Sequence, residues 1–250
     1  MHARRLYAHR GASAERPENT LPAFERAVEC GVDALEMDVQ LTRDGQLIVA
    51  HDDTAQRTTG VPLAWSELDL ADAQRLDAGW GFLASDGSRP FAGQGIAVST
   101  FEHVLKTFSN VRINVDLKGN SVEPMLELIA KHGAAERVTL ASFQLRTLLD
   151  VRKRGYAGET GMSQTEVASL LALPAVAWRQ LPRTGGAAQV PVKQGPLRFD
   201  RPAFIAKCHS VGLRIDYWVI DDIAEAKRLL DLGADGIMTN DPAALVSLFR

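Results

Sequence analysis

The chain alternates short apolar runs, typical of β-strands, with longer stretches whose apolar residues recur at helical spacing. This alternation predicts repeated βα units and therefore a parallel sheet. The runs predict strands at residues 4–9, 33–40, 111–118, 137–142, 157–162, 187–192, 213–220 and 234–240.

Local signals refine the first two units. A helix is predicted over residues 20–31, and Gly31 ends it because glycine readily adopts the left-handed conformation that closes a helix. After the second strand, the Asp44-Gly45 pair is a typical hairpin turn, with residues 46–51 as the return strand. The sequence thus predicts an antiparallel hairpin attached to an otherwise parallel sheet.

One segment, residues 52–98, interrupts the alternation. It is rich in Gly, Asp, Pro and Ser and contains a single short helical pattern. A departure of this length inside a repeating fold indicates an insertion, which we expect to cap the site. Eight βα units in 250 residues favour one TIM (β/α)8 barrel over residues 1–250, with this short insertion after strand 2.

Composition indicates a globular domain without strong charge. Hydrophobic residues make up 46% of the chain, and the formal net charge is −3. Nucleic-acid binders usually carry a basic surplus, so no nucleic-acid partner is expected, whereas a small anionic substrate is compatible. The sequence has no long apolar run, so neither membrane insertion nor a signal peptide is expected, and we predict a cytoplasmic protein. The oligomeric state stays open, a homo-oligomer included.

Polar side chains lie at the predicted carboxyl ends of the strands, where TIM barrels carry their chemistry. The candidates are His9 and Arg10 after the first strand, Glu36 and Asp38 on the second, His51 on the hairpin, Asp116 and Lys118 on the third, and Trp218 on the seventh. Because alternate residues of a strand point to the same side, Glu36 and Asp38 are expected to face the barrel mouth together.

Three of these candidates, Glu36, Asp38 and Asp116, are carboxylates. Carboxylates that share one site repel each other unless a cation lies among them. Oxygen ligands favour a hard divalent cation, Mg²⁺ or Ca²⁺, over zinc. The sequence therefore predicts a divalent cation, with simple ion pairs to Lys118 or Arg10 as the competing interpretation.

His9 and His51 are suited to proton transfer near neutral pH. Three other histidines are expected to be structural because they fall on predicted outer helices: His103, His132 and His209. Arg10 and Lys118 add positive charge of the kind that binds phosphoryl oxygens. Together these groups predict a phosphate ester as substrate.

Residues 8–54 closely resemble the opening of the glycerophosphodiester phosphodiesterase family. The matching parts are HRG, PENT, the E-x-D strand, the T-x-D-G hairpin and the HD that follows it. Several motifs in the right order make a specific signal. The resemblance continues through NVDLK, LASF and ADGIMTNDP, and is weakest in residues 163–186.

The resemblance implies a TIM barrel that cleaves glycerophosphodiesters to an alcohol and sn-glycerol 3-phosphate. It assigns acid and base roles to His9 and His51 and a divalent ion to Glu36, Asp38 and Asp116. It gives phosphate contacts to Arg10 and Lys118, and a place in the substrate pocket to Trp218.

Two departures from the family pattern stand out. Asp116 replaces the usual glutamate and is one methylene shorter, and WVIDD at residues 218–222 replaces WTVND, so that Asp221 stands for asparagine. Two alternative functions stay open. One is a phospholipase-type lyase that stops at a cyclic phosphate, and the other is a barrel that binds without catalysis.

Overall fold

The computed structural model describes residues 2–118, 121–180 and 185–250. Its strands are β1 (Arg5–His9), β2 (Ala34–Leu41), β3 (Leu47–Val49), β4 (Arg112–Leu117), β5 (Val138–Ala141), β6 (Ala187–Val190), β7 (Lys193–Gln194), β8 (Leu197–Arg198), β9 (Arg214–Tyr217) and β10 (Gly236–Thr239). Its helices are α1 (Leu21–Cys30), α2 (Gln56–Thr59), α3 (Leu70–Ala73), α4 (Phe101–Thr107), α5 (Val122–Lys131), α6 (Leu145–Lys153), α7 (Gln164–Ala172), α8 (Ala175–Trp178), α9 (Pro202–Ser210), α10 (Ile223–Leu232) and α11 (Pro242–Leu245). Short 3₁₀ turns lie at Trp65–Glu67, Ala78–Gly81 and Val246–Leu248.

The strands form a TIM-like barrel in the order β5-β4-β2-β1-β10-β9-β6, and β3 pairs with β2 outside this path. Between β5 and β6 the sheet is completed by single parallel bridges, from Leu140 to Thr160 and from Gly161 to Ala187. The strand predicted at 157–162 is therefore too long, because within this segment only Thr160 and Gly161 pair with neighbouring strands. Glycines weaken a strand here, and Gly185 lets the backbone approach closely, since a Cβ there would lie 2.0 Å from the Gly161 carbonyl oxygen.

Local predictions for the first units are confirmed. Helix α1 spans Leu21–Cys30, and Gly31 follows it with φ 85°. Strands β2 and β3 pair antiparallel across the turn that contains Gly45, whose φ is 74°. The hairpin extends β2 beyond the barrel and places His51 two residues after its return strand.

Apolar residues on the outer side of the strands pack against the helices in two large clusters. One contains Met37 and Val115 with Phe24 and Met125, and the other contains Ile215 with residues of the later helices. Burial of this much apolar surface is the main stabilisation of such a fold. Of the described helices, none is long and apolar enough to cross a membrane.

The insertion over residues 52–98 carries a small apolar cluster of its own. Trp65 is buried in it together with Ile48 of β3, so the segment is fixed to the hairpin. The cap role predicted for this segment stays a prediction. Within the described parts of the chain, the lining of the large cavity reaches His51 but includes no residue of the insertion.

Candidate active site

All eight candidate residues line a single cavity of about 440 Å³ at the carboxyl ends of the strands. His9 is the last residue of β1, Asp116 lies near the end of β4, and Trp218 follows β9. These ends meet because the strands are parallel neighbours in one sheet. The structure brings together His9, Arg10, Glu36, Asp38, His51, Asp116, Lys118 and Trp218.

The turn after β1 has an unusual backbone that positions Arg10. Arg10 and Gly11 have φ values of 58° and 84°. A Cβ on Gly11 would lie 2.7 Å from Ala23, so only glycine lets this turn pack against α1. In this conformation the Arg10 amide donates to a Glu36 side-chain oxygen over 3.1 Å. The HRG motif thus links two neighbouring strands at the mouth.

The carboxylates are buried and repel one another. Glu36 is 6% exposed and Asp38 is 3% exposed. Burial, together with the negative charges of Asp38 and Asp116, raises the pKa of Glu36 well above its usual value. Burial also raises the pKa of Asp116, against the opposing effect of Lys118. The site therefore carries an excess of negative charge that favours a cation.

Two basic side chains partly compensate this charge. The Lys118 Nζ lies 2.6 Å from Asp116 Oδ2 and 3.3 Å from Asp38 Oδ1. Burial opposes the charged form of Lys118, but the two carboxylates raise its pKa overall. Arg10 Nε lies 3.3 Å from Asp38 Oδ2. The ion pairs considered as the competing interpretation do form.

The donor set nevertheless fits a divalent cation. Glu36, Asp38 and Asp116 supply oxygen atoms only, which suits Mg²⁺ or Ca²⁺. Over residues 2–118, 121–180 and 185–250, no three His, Cys, Asp or Glu side chains are arranged as a ready-made metal centre. In this arrangement the Lys118 ammonium lies between two of the three carboxylates. A cation held by all three would therefore require Lys118 to move.

A chain of hydrogen bonds fixes the tautomer of His9. The His9 Nδ1 lies 2.8 Å from Asn240 Oδ1, and Asn240 Nδ2 donates to Asp221 Oδ2 over 2.8 Å. Because an ionised carboxylate can only accept, Asp221 orients the amide so that its oxygen faces His9. The Nδ1 of His9 is then the donor, which leaves Nε2 able to accept a proton. Burial lowers the pKa of His9, against the effect of Asn240.

His51 has a different partner. Its Nδ1 lies 2.6 Å from Asp52 Oδ1, and Asp52 in turn accepts two hydrogen bonds from Arg57 at 2.7 and 3.2 Å. Partial burial raises the pKa of Asp52, but Arg57 and His51 outweigh it and lower the value to about 2. The Asp52 carboxylate is therefore held in place by Arg57 and fixes the orientation of the His51 ring.

Arg57 also links the insertion to Arg10 through Glu18. It donates to both Glu18 oxygens at 2.6 and 2.8 Å, and Glu18 also accepts from Arg10 at 3.0 Å. Sequence reasoning missed this network and the support of His9 by Asn240. The available signals were the PENT motif, which contains Glu18, and the position of Asp52 immediately after His51.

Trp218 lies on the wall of the same cavity. Its ring meets that of Phe143 edge to face, with centroids 5.9 Å apart and planes at 85°. Such pairs hold aromatic rings in a fixed orientation. Trp218 is therefore part of the cavity wall, and its contact with substrate stays a prediction.

Comparison with known proteins agrees with this geometry. The model of the glycerophosphoryl diester phosphodiesterase family matches residues 9–244. The chain is 32% identical over 98% of its length to a glycerophosphodiester phosphodiesterase of Caldanaerobacter subterraneus subsp. tengcongensis, of which it covers 97%. The chain belongs to this family.

A second relative and a solved structure are also similar to this chain. A probable glycerophosphodiester phosphodiesterase of Mycobacterium tuberculosis is 31% identical over 93% of this chain and 86% of its own. An Oleispira antarctica phosphodiesterase, solved in complex with the product sn-glycerol-3-phosphate, shares the fold with a TM-score of 0.79. It is 20% identical and covers 98% of this chain and 96% of its own. Family membership makes the protein a phosphodiesterase.

Proposed function

We propose that this protein hydrolyses glycerophosphodiesters in a cation-dependent reaction, releasing an alcohol and sn-glycerol 3-phosphate. The observation that carries this proposal is the cavity itself, where His9 and His51 lie with Arg10, Lys118 and three carboxylates. Two imidazoles can transfer two protons, and fixed cations favour a phosphodiester over a neutral ester. The names of the relatives support the substrate class.

In this mechanism His9 is the base and His51 the acid. Burial lowers the pKa of His9, and Asn240 accepts from its Nδ1, so a neutral ring with a free Nε2 is favoured. Asp52 holds the His51 ring through its Nδ1, so that Nε2 faces the substrate and donates a proton to the leaving alkoxide. His9 removes a proton from the nucleophile, which is either water or the glycerol hydroxyl of the substrate.

The remaining polar groups bind the phosphate and a cation. Glu36, Asp38 and Asp116 would hold Mg²⁺ or Ca²⁺, which when bound supplies positive charge to the non-bridging oxygens. Arg10 and Lys118 contact the same phosphate, offsetting charge that develops in the transition state. Trp218 packs against the glycerol moiety.

The test is turnover of glycerophosphocholine by the wild type, with and without chelator. We expect sn-glycerol 3-phosphate and choline, with activity lost on chelation and regained with Mg²⁺ or Ca²⁺. His9→Ala and His51→Ala should each lower kcat by about a hundredfold or more. Absence of any sn-glycerol 3-phosphate from a metal-replete preparation would refute the proposal, and a cyclic phosphate seen by phosphorus NMR would indicate a lyase instead.

A further inference from the structure

Two neutral amide side chains meet inside the large cavity. Asn114 of β4 and Gln189 of β6 both belong to its lining, and Gln189 Nε2 donates to Asn114 Oδ1 over 2.9 Å. We call these two side chains the amide pair. Neither takes part in the proton transfers, the cation binding or the phosphate contacts of the proposed mechanism. The amide pair is therefore available for another part of the substrate.

The amide pair lies next to the carboxylates and deeper in the barrel. Asn114 precedes Asp116 by two residues on β4, so both side chains point into the barrel, about 7 Å apart along the strand. Asn114 is also the register partner of Glu36 on β2. A ligand whose phosphate contacts Arg10 and Lys118 can therefore bring the few atoms next to that phosphate within reach of the amide pair.

Small neighbours keep the amide pair accessible. A Cβ added to Gly161 would lie 3.4 Å from Gln189 Oε1 and 3.3 Å from the Cβ of Ala141, so a larger side chain there would crowd the amide. In the described parts of the chain, the bond between Gln189 and Asn114 is the one hydrogen bond that either side chain makes. The free atoms, Asn114 Nδ2 and Gln189 Oε1, are not enclosed by protein and so face the cavity.

The free atoms of the amide pair provide one donor and one acceptor. The amide nitrogen donates, the amide oxygen accepts, and neither carries a net charge. Two hydroxyl groups on adjacent carbon atoms match this set, because each hydroxyl can both donate and accept. A quaternary ammonium such as choline has no N–H to donate, and phosphate oxygens are better bound by Arg10 and Lys118. The ligand group that fits is a neutral vicinal diol.

We propose that the amide pair binds the two free hydroxyl groups of the glycerol moiety, so that it selects glycerophosphodiesters over phosphodiesters without a diol. The inference rests on the proposed function. Asn114 Nδ2 donates to one hydroxyl and Gln189 Oε1 accepts from the other, while Trp218 packs against the carbon atoms. A ligand without these hydroxyls leaves both amide atoms unpaired, which weakens its binding.

The test compares two ligands of equal charge that differ only in the diol, sn-glycerol 3-phosphate and propyl phosphate. Their dissociation constants are measured by calorimetry on the whole chain in buffer with Mg²⁺. We call the ratio of the two constants the diol preference. The wild type should bind sn-glycerol 3-phosphate at least about tenfold more tightly, because propyl phosphate leaves the amide atoms unpaired. Equal affinities would overturn the proposal.

Variants show whether the amide pair carries the diol preference. Gln189→Met keeps the length of the side chain without its amide and should lower the diol preference by about tenfold, with propyl phosphate bound as by the wild type. Asn114→Ala should lower it likewise, and it replaces the first variant if circular dichroism shows that Gln189→Met does not fold. Gln194→Met is the matched control, since Gln194 also lines the cavity but lies on β7, outside the amide pair. That variant should keep the wild-type diol preference.

Two results would contradict the proposal. One is a folded Gln189→Met with the wild-type diol preference. The other is an equal loss of affinity for both ligands, which would mean that the amide pair only ties β4 to β6. Turnover of glycerophosphocholine is measured on the same preparations. If the wild type hydrolyses it while the diol preference is independent of Gln189, the inference fails alone. If the wild type does not hydrolyse it, the proposed function fails, whatever the diol preference.

Discussion

The two active-site histidines are held by chemically different neighbours. His9 donates to the neutral amide oxygen of Asn240, whereas His51 faces the carboxylate of Asp52. The amide oxygen of Asn240 fixes the tautomer of His9, and the Asp52 carboxylate, which accepts only, holds the His51 ring through its Nδ1. This difference, together with the burial of His9, supports the assignment of His9 as base and His51 as acid.

The assignment predicts the acid limb of the pH profile. A base works only when deprotonated, so kcat/KM for glycerophosphocholine should rise with pH as His9 loses its proton. Because burial lowers the pKa of His9 from 6.5, the midpoint should lie below pH 6.5. Asn240→Ala removes a hydrogen bond that favours the imidazolium and should move the midpoint lower still. A midpoint above pH 6.5, or one insensitive to Asn240, would count against His9 as base.

Asp221 acts on His9 only through Asn240, as a positioning residue. Its Oδ1 accepts from Thr239 Oγ1 and the Asn240 amide, and its Oδ2 from the Asn240 side chain. In Asp221→Asn the side chain at 221 is an amide, which no longer fixes which end of the Asn240 amide faces His9. This variant should lower kcat by about tenfold, with little change in KM. Exchanging the two, as Asp221→Asn with Asn240→Asp, restores an acceptor for His9 Nδ1 and should recover activity. Failure of the exchanged pair to exceed the single variant would oppose this role.

Asp116 differs from the usual glutamate of the family, and its carboxylate is engaged by Lys118 at 2.6 Å. The shorter side chain keeps the carboxylate beside its own strand, where the lysine two residues later can reach it. The residue remains within the proposed cation site. Its role as a ligand stays a prediction.

Among the elements, the short helix α2 of the insertion matters most to the site. It carries Arg57, which binds Asp52 and Glu18 at once and so connects the supports of His51 and Arg10. The planar guanidinium has several donors in a rigid arrangement, so it can bind two carboxylates at once and fix their orientation. The insertion therefore orients charged groups at the mouth of the cavity, and its role as a cap stays a prediction.

Arg57→Ala should lower kcat by about tenfold or more, because His51 loses the fixed carboxylate behind it. Arg57→Lys should recover little, since one ammonium cannot replace two forked contacts. Arg75→Ala is the matched control: Arg75 also lies in the insertion, is 77% exposed and pairs only with nearby Asp72. Steady-state kinetics on the three variants provide the measurement. Equal effects of Arg57→Ala and Arg75→Ala would contradict the proposed link.

At the scale of the whole molecule, the candidate active site and a buried ionic cluster lie at opposite ends of the barrel. The cavity lies at the carboxyl ends of the strands, whereas a buried ionic cluster lies towards their amino ends. There Asp216 accepts from Arg214 at 3.0 Å and from Tyr7 at 3.1 Å, with Asp216 fully buried. Such a cluster crosses the barrel interior and ties β1 to β9.

Asp216→Ala should lower the free energy of unfolding by about 3–5 kcal/mol, because it leaves the buried Arg214 without its carboxylate. Urea denaturation at neutral pH gives this value. The control is Glu159→Ala, whose partner Arg5 is 20% exposed, so a loss of about 1 kcal/mol or less is expected. If both variants lowered the free energy of unfolding by similar amounts, burial of the ion pair would not determine how much stability is lost.

The helices and strands followed largely from periodicity, because burying one face of a strand or helix forces a repeat along the chain. The hairpin followed from Asp44-Gly45, whose turn chemistry is local. The segment at 157–162 was predicted as a full strand, yet only Thr160 and Gly161 pair. Pairing there depends on the close approach of the backbone at Gly185 to that at Gly161. A local sequence pattern does not encode such a contact between distant residues.

The sequence by itself determined the barrel and the family, and it predicted the residues of the candidate site, since each depends on residue types at short spacing. Only the tertiary structure decided what holds those residues. Asn240 lies 231 positions from His9, and Arg57 lies 39 positions from Glu18. Side chains so far apart meet only when the barrel closes. The apolar part of the cavity lining likewise exists only once β5, α7 and the β7–β8 hairpin face one cavity.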